Sequence, residues 1–318
     1  MDHRDLIDAA LELAIVPSFS AIGPRVRSTL WAWEDPAPRA IAGRTALVTG
    51  ATGGLGRVIA TTFADLGARV LVVGRDPGKV EALRRELAEA HGDDRAAGFV
   101  ADMSSLASVA AAAAAIRASE TALDILVDNA GAINPERTTS ADGFESTMAL
   151  MAIGPFAFVR GLMPLLEHSA DARVIAVTSG GMYAQSLDVG DLDGDTIDYN
   201  GPRFYARAKR AQVALIREWA RRSRGSGVTF AAMHPGWART PGLSASLPGF
   251  ERVMGPILRT PADGADTVIW LATTARPNVE SGRLYLDRRV RPYDRVPWTR
   301  LDAAARRALW NEVARRAG

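Results

Sequence analysis

Tyr205 and Lys209, in the run Phe204-Tyr205-Ala206-Arg207-Ala208-Lys209, set a phenol and a primary ammonium four residues apart. If the run is helical, positions i and i+4 share a face and both groups converge on one point. Of the 38 basic residues in this 318-residue chain, two are lysine, Lys79 and Lys209. Arginine does not replace lysine freely: lysine is a compact charge whose pKa shifts with its surroundings, whereas a guanidinium is a planar fork that stays protonated. An ammonium fixed beside a tyrosine favours the phenolate, which predicts a pKa drawn down from about 10 toward the range of an acid/base catalyst. Taken alone, the spacing equally fits a tyrosine on a helix beside a solvated lysine.

A second constellation lies upstream. The apolar run Thr45–Thr49 leads into Gly50-Ala51-Thr52-Gly53-Gly54-Leu55-Gly56, after which helix-forming residues begin. Strand, glycine-rich turn and helix is the context of a dinucleotide loop. Glycines permit positive φ and let the backbone approach a pyrophosphate, and the helix start offers free N–H groups and a positive dipole end. The second apolar run ends Val72-Val73-Gly74-Arg75-Asp76. An acid directly at that strand end would bond a ribose 2′-hydroxyl; here Gly74 holds the place, and the Arg75 that follows suits a 2′-phosphate. The reading is NADP(H) in preference to NAD(H), with Asp76 a rival partner for the ribose after a small backbone shift. Asp102, after the third run, is placed for the adenine amino group, with Met103 beside it.

Other clusters carry less. Asp188, Asp191, Asp193, Asp195 and Asp198 alternate in the stretch between Ser179 and Tyr205. They invite a calcium-loop reading, but Thr196 stands where an EF-type loop needs glycine and Pro202 where it needs glutamate. His3, His91, His168 and His234 are isolated from one another, so no metal site is expected, and His234 reads as structural support. The chain has no cysteine, which excludes disulfides and thiolate chemistry and fits a reducing compartment. With no secretory leader read at Met1-Asp2-His3-Arg4-Asp5, a cytoplasmic location is expected. A net charge of +2, with arginine pairs scattered beside acids, offers no basic stripe for nucleic acid. No uninterrupted run of about 18 apolar residues is present, so no ordinary membrane-spanning helix is expected.

The elements that must position these residues read as an open α/β array. Hydrophobic content of 47% suffices for a full core. Strands are predicted at Thr45–Thr49, Arg69–Val73, Ala97–Ala101, Leu123–Val127, Arg173–Thr178, Val228–Met233 and Arg283–Leu286, with helices at Gly54–Leu66, Pro77–Ala90, Leu106–Ser119, Asp142–Glu167, Arg203–Arg224 and Pro261–Thr273. Right-handed crossovers then give a parallel, doubly wound sheet of about seven strands. Residues 1–43 precede this array as a helical extension, 44–290 form the catalytic domain, and 291–318 make a helical tail. In the extension Leu6, Ala9, Ala10, Leu13 and Val16 share one helical face. The helix is expected to pack back on the domain rather than on a membrane surface or a partner, because its polar face is acidic rather than basic.

Together these elements resemble the short-chain dehydrogenase/reductase family over residues 44 to about 290. The resemblance rests on Thr49-Gly50-x3-Gly54-x-Gly56, Asn129-Ala130-Gly131, Ser179, Tyr205-x3-Lys209 and Pro235-Gly236, in that order. Ser179-Gly180-Gly181-Met182, Met233-His234-Pro235-Gly236-Trp237 and Gly264-Ala265-Asp266-Thr267, with the extension, are similar to the branch typified by family member 12. The resemblance implies a Rossmann-type fold and a nicotinamide cofactor. It implies that Tyr205 is the acid/base, that Lys209 holds the nicotinamide ribose and lowers the tyrosine pKa, and that Ser179 holds the substrate oxygen. Asn129 would support the central strands beside the cofactor, and Thr240 would meet the carboxamide side of the nicotinamide. The sequence departs from the family at Met151, where an asparagine that holds a relay water is usual. That departure leaves open a protein that binds cofactor without turnover and acts through interaction.

The substrate side should be walled by Gly180–Tyr183, the acidic loop and Trp237–Arg259. Met182, Trp237, Leu243, Leu247, Phe250 and Met254 there suit a lipophilic ketone, aldehyde or secondary alcohol, or else pack a lid helix. A homodimer or homotetramer through the helices at 142–167 and 203–224 is implied by the resemblance, unless the extension blocks it.

Overall fold

A computed structural model describes residues 2–246 and 248–318; Leu247, one of the expected wall residues, lies outside them. Eight strands form one sheet in the order β3-β2-β1-β4-β5-β6-β7-β8. They are β1 Thr45–Thr49, β2 Arg69–Gly74, β3 Ala96–Val100, β4 Ile125–Asp128, β5 Ala172–Val177, β6 Val228–Met233, β7 Arg283–Leu286 and β8 Arg289–Arg291. All neighbouring pairs are parallel except β7 with β8. The seven expected strands are present. The eighth was not expected: three residues dominated by arginine carry no apolar pattern, and a tight hairpin turn through Asp287 and Arg288, both at positive φ, folds them back on β7.

Both faces of the sheet are covered. Leu47, Leu71, Leu126, Val174 and Phe230 point to the helices Leu106–Ser119, Gly154–Glu167 and Gly201–Arg222. Val48, Val70, Val72, Ile125 and Ile175 point to the helices Gly54–Asp65, Pro77–His91 and Pro261–Thr273. Central strands buried on both faces read as continuous apolar runs, which is why they were easy to find. The strand order reverses between β1 and β4, and there the carboxyl ends open a crevice. Toward the carboxyl-side edge, the C-terminal helix Ala303–Arg316 lies over the two long helices, with Trp310 against Phe156 and Trp219. It covers part of the face through which oligomerisation was expected.

The helix over 142–167 starts later than expected, at Ser146, and its segment Ala149–Ile153 is wound as a π-helix. From Ser146 to Glu167 it has the length and mean hydropathy, 1.7, of a membrane span, yet most of it is buried in the fold. Arg160 and Glu167 interrupt the run, so a search for uninterrupted apolar residues passes over it.

The extension packs back on the domain, but by its acidic face rather than its apolar stripe. In the helix His3–Ala14, Leu6 is 55% and Leu13 85% exposed, and Ala9 and Ala10 are exposed too, whereas Asp8 is 5% exposed. The acidic face is the inner one because arginines meet it there. Arg27 Nε donates to Asp8 at 2.7 Å, Arg291 grips both Asp8 oxygens at 2.6 and 3.0 Å, and Arg289 reaches Asp5 at 2.9 Å. Burial alone would raise the Asp8 pKa, but bonds to Arg291 and Arg27 hold it below the usual carboxylate range. Buried guanidinium groups need anions, and that requirement overrides the apolar stripe.

Candidate active site

The glycine loop between β1 and the helix Gly54–Asp65 is shaped by close approach. A Cβ on Gly56 would lie 2.2 Å from the Gly50 carbonyl oxygen, and one on Gly50 would lie 3.0 Å from Ala130 Cα. Gly50 and Gly54 both have positive φ. Gly53, the residue before the helix, is extended, and no side chain caps the helix start. The first helical N–H groups therefore face the crevice, the arrangement that holds a phosphate. Asn129 braces the loop from β4: its Nδ2 donates to the Thr49 carbonyl at 2.9 Å, while Thr49 Oγ1 accepts the Asn129 and Ala130 amides at 2.9 and 3.0 Å. Thr52 sits beside Gly74 at the end of β2, and Thr240 faces Gly54 across the loop. The cradle thus fits the pyrophosphate of a dinucleotide.

At the far end of the crevice Arg75 is exposed and has no ion-pair partner among the described residues. Asp76, the rival ribose partner, is occupied as the cap of the helix Pro77–His91, accepting the Lys79 amide at 3.1 Å. Asp102 accepts the Ser104 amide and hydroxyl at 2.9 and 2.7 Å. Met103 is buried in the core, so any contact it makes with an adenine is through its backbone.

Ser179 follows β5, and the helix Gly201–Arg222 carries Tyr205 and Lys209 past it. Asn200 caps that helix by accepting the Arg203 amide at 3.1 Å, and Thr178 Oγ1 ties β5 to it by donating to the Lys209 carbonyl at 3.0 Å. The Ser179 hydroxyl lies near the Tyr205 phenol and accepts the Gly181 amide at 3.3 Å. Lys209 is 2% exposed, and its Nζ lies 5.8 Å from the centre of the Tyr205 ring.

The electrostatics differ from the sequence expectation. Burial pushes the Tyr205 pKa up to about 12, with the Ser179 bond opposing it, and no lowering comes from Lys209. The reason is orientation: the Lys209 ammonium is aimed at the Val177 carbonyl, 2.8 Å away, and at Gln212 Oε1, 3.3 Å away. Burial pulls Lys209 itself down to about 8, against an opposing pull from Asp128. Met151, fully buried in the π-helical segment, fills the space beside Gly131 and brings no strong donor or acceptor.

A model of the short chain dehydrogenase family matches residues 44–248. The chain belongs to the short-chain dehydrogenase/reductase family. It is 36% identical over 250 residues to human dehydrogenase/reductase SDR family member 12, covering 78% of each chain. It is 34% identical over 294 residues to mouse retinol dehydrogenase 14, covering 86% of each. Among solved structures, the Pseudomonas aeruginosa RhlG/NADP active-site complex superposes with a TM-score of 0.63 at 27% identity, over 78% of this chain and 96% of that one.

In this short-chain dehydrogenase/reductase the extension packs against the segment after β6 that was expected to wall the substrate, a contact that sequence reasoning missed. Phe19, from the short helix Val16–Phe19, packs edge-on against His234 and Trp237, with ring centres 4.7 and 5.8 Å apart. Gly236 has φ 68°, and a Cβ there would strike Arg259 and the Phe19 carbonyl at 2.4 and 2.6 Å. Pro235-Gly236 therefore turns tightly over the extension. His234 is fully buried, and its pKa is lowered well below the usual value by burial and then by Arg259 and further arginines, so it stays neutral as a packing residue. Trp237 meets Phe250 at 5.2 Å, and Leu243, Phe250 and Met254 are half-buried. Met182 does not join this wall: it is fully buried in the core, 3.3 Å from Arg210 Nη1. The acidic loop gathers no common centre. Asp191 accepts from Asp195 and Thr196, Asp193 from Glu145 and Arg316, and Asp195 from Arg137.

Proposed function

We propose that this protein is an NADP(H)-dependent oxidoreductase that interconverts a lipophilic ketone or aldehyde and the corresponding alcohol, with Tyr205 as proton donor and acceptor. The observation that carries the reading is that Ser179, after β5, and Tyr205, on the long helix, come together at the carboxyl end of the sheet, one helical turn from Lys209. Gly50, Thr52, Gly53, Gly54, Leu55 and Gly56 would hold the pyrophosphate and Arg75 the 2′-phosphate. Asp102 and Met103 would meet the adenine; Asn129, Ala130 and Gly131 would back the central crevice; Pro235, Gly236 and Thr240 would meet the nicotinamide side. When bound, the nicotinamide supplies or takes the hydride.

Ser179 would donate to the substrate oxygen and fix it beside the phenol. Tyr205, with its pKa near 12, is protonated at neutral pH and so stands ready to give its proton to a carbonyl oxygen. Trp237, Leu243, Phe250 and Met254 support a lipophilic substrate, and the name of the similar mouse retinol dehydrogenase points the same way.

The test is NADPH oxidation across a panel of lipophilic and small charged carbonyls. Turnover of lipophilic members, a loss of about 100-fold or more in Tyr205→Phe, and NADPH affinity unchanged in that variant would support the reading. Turnover confined to small charged members would overturn the substrate class. Cofactor binding with no turnover across the panel would leave an interaction protein in place of an enzyme.

A further inference from the structure

The helix Gly201–Arg222 presents a third polar residue on the face that carries Tyr205 and Lys209. Gln212 lies three residues beyond Lys209 and is 3% exposed. Its Oε1 accepts from Lys209 Nζ at 3.3 Å, and its Nε2 donates to Asp128 Oδ2 at 2.6 Å. Asp128 ends β4, immediately before Asn129, and is 5% exposed. An amide is thereby held between a buried ammonium and a buried carboxylate, each end bonded in the sense its charge requires. A buried carboxylate is costly unless paired, and a lysine among apolar neighbours tends to lose its proton. Each group offsets the other here.

Resting on the oxidoreductase reading above, we propose that Asp128 and Gln212 are positioning residues that keep the Lys209 ammonium charged and fixed one helical turn from Tyr205. The groups that face Lys209 are few. Asp128 comes from β4, the Val177 carbonyl from β5, Met151 from the π-helical segment, and Tyr205 and Gln212 from its own helix. Asp128 is the only anion among the described residues that acts on Lys209. Burial pushes Asp128 itself up to about 6, against Lys209 and Gln212, so near pH 7 both members are charged. Asp128 Oδ1 has no protein partner. Asp128 and Gln212 line a cavity of about 20 Å³ with Met151 and Phe156, which is room for one water.

Because the chain has two lysines, the proposal is directly observable. In protein labelled with ¹⁵N,¹³C-lysine, two side-chain signals titrate: exposed Lys79 and buried Lys209. Read without cofactor or substrate, Lys209 should titrate near pH 8. In Asp128→Asn its proton affinity should fall about tenfold or more, and in Gln212→Met by a smaller factor in the same direction. NADPH affinity at pH 7.5 should weaken in step with the uncharged fraction. A Lys209 titration unchanged in both folded variants would overturn the proposal. If Asp128→Asn does not fold, Gln212→Met decides alone, and an unshifted Lys209 there is equally fatal. The expected shifts in a protein that turns over no carbonyl would instead sink the oxidoreductase reading and leave the positioning role standing.

Discussion

The backbone carbonyl of Phe19 accepts the Trp237 amide at 2.7 Å, and Arg259 Nε donates to the same oxygen at 3.0 Å. A residue of the N-terminal extension thus fixes the turn that follows β6, where the proposed substrate wall begins. Phe19→Leu keeps that carbonyl but removes the ring that packs on His234, Trp237 and Tyr183. The expected result is a several-fold rise in KM for the carbonyl substrate, with NADPH affinity changed by less than about twofold, because the ring's aromatic partners, Tyr183, His234 and Trp237, are not part of the glycine loop. Steady-state kinetics with separate cofactor titration checks it; an unchanged KM would show that the wall holds its shape without the ring.

Arg27 is fully buried and binds Asp8, Glu12 and Asp287. Asp287 in turn pairs with Arg259 at 2.5 and 2.9 Å. Removing one member strands buried charge, so Arg27→Met should destabilise the fold by about 3–5 kcal/mol. Urea unfolding at pH 7 measures this. A loss below about 1 kcal/mol would mean that the extension docks through packing at Phe19 rather than through ions.

The same network marks the limit of what the sequence made legible. The central strands, the glycine loop and the Tyr205 and Lys209 pair were visible because each is local: a short apolar run, a turn, an i and i+4 pair; Ser179, 26 residues before Tyr205, was reached only through the family resemblance. The inward turn of the Asp5, Asp8 and Glu12 face was not, because besides Arg27 its partners Arg289, Arg291 and Arg295 lie more than 270 residues away in sequence. An amphipathic stripe shows which residues share a face but not which face turns inward. A signal was nonetheless present: arginines at 288, 289, 291 and 295 in a stretch destined for a sheet edge needed anions from somewhere. The pKa of Tyr205 was misjudged for a related reason. Spacing put an ammonium on the same face, but its aim depends on the Val177 carbonyl and on Gln212, contacts that only the folded chain discloses.

For the cofactor, Arg75 is exposed and unpaired among the described residues, whereas Asp76 is committed to its helix cap. Arg75→Ala should weaken NADPH about tenfold or more, the order of one charge-assisted bond to a phosphate, and leave NADH within about twofold. Parallel titrations of both nucleotides check it. Equal losses would refute a 2′-phosphate role.

The Asp128 and Lys209 pair should also burden the fold. The folded-state pKa of Lys209, about 8, lies below its ordinary 10.5, so the cost of its buried charge is complete below pH 8 and fades as pH rises toward 10.5. That of Asp128, about 6, lies above its ordinary 3.8, so its cost is complete above pH 6 and fades as pH falls toward 3.8. Both costs overlap between pH 6 and pH 8. A buried ion pair replaced by groups of similar shape is often neutral or gains about 1–4 kcal/mol. The double variant Asp128→Asn with Lys209→Met should therefore be more stable than the parent at pH 7, with a smaller gain at pH 4.5 and at pH 10, while turnover is lost. Lys209→Met alone should be less stable than the double variant, because it leaves the carboxylate buried without its cation. Urea unfolding of the three proteins across that pH range measures the ordering. A parent more stable than the double variant at pH 7 would mean that the pair stabilises the fold outright, and that its placement beside Tyr205 costs the protein nothing.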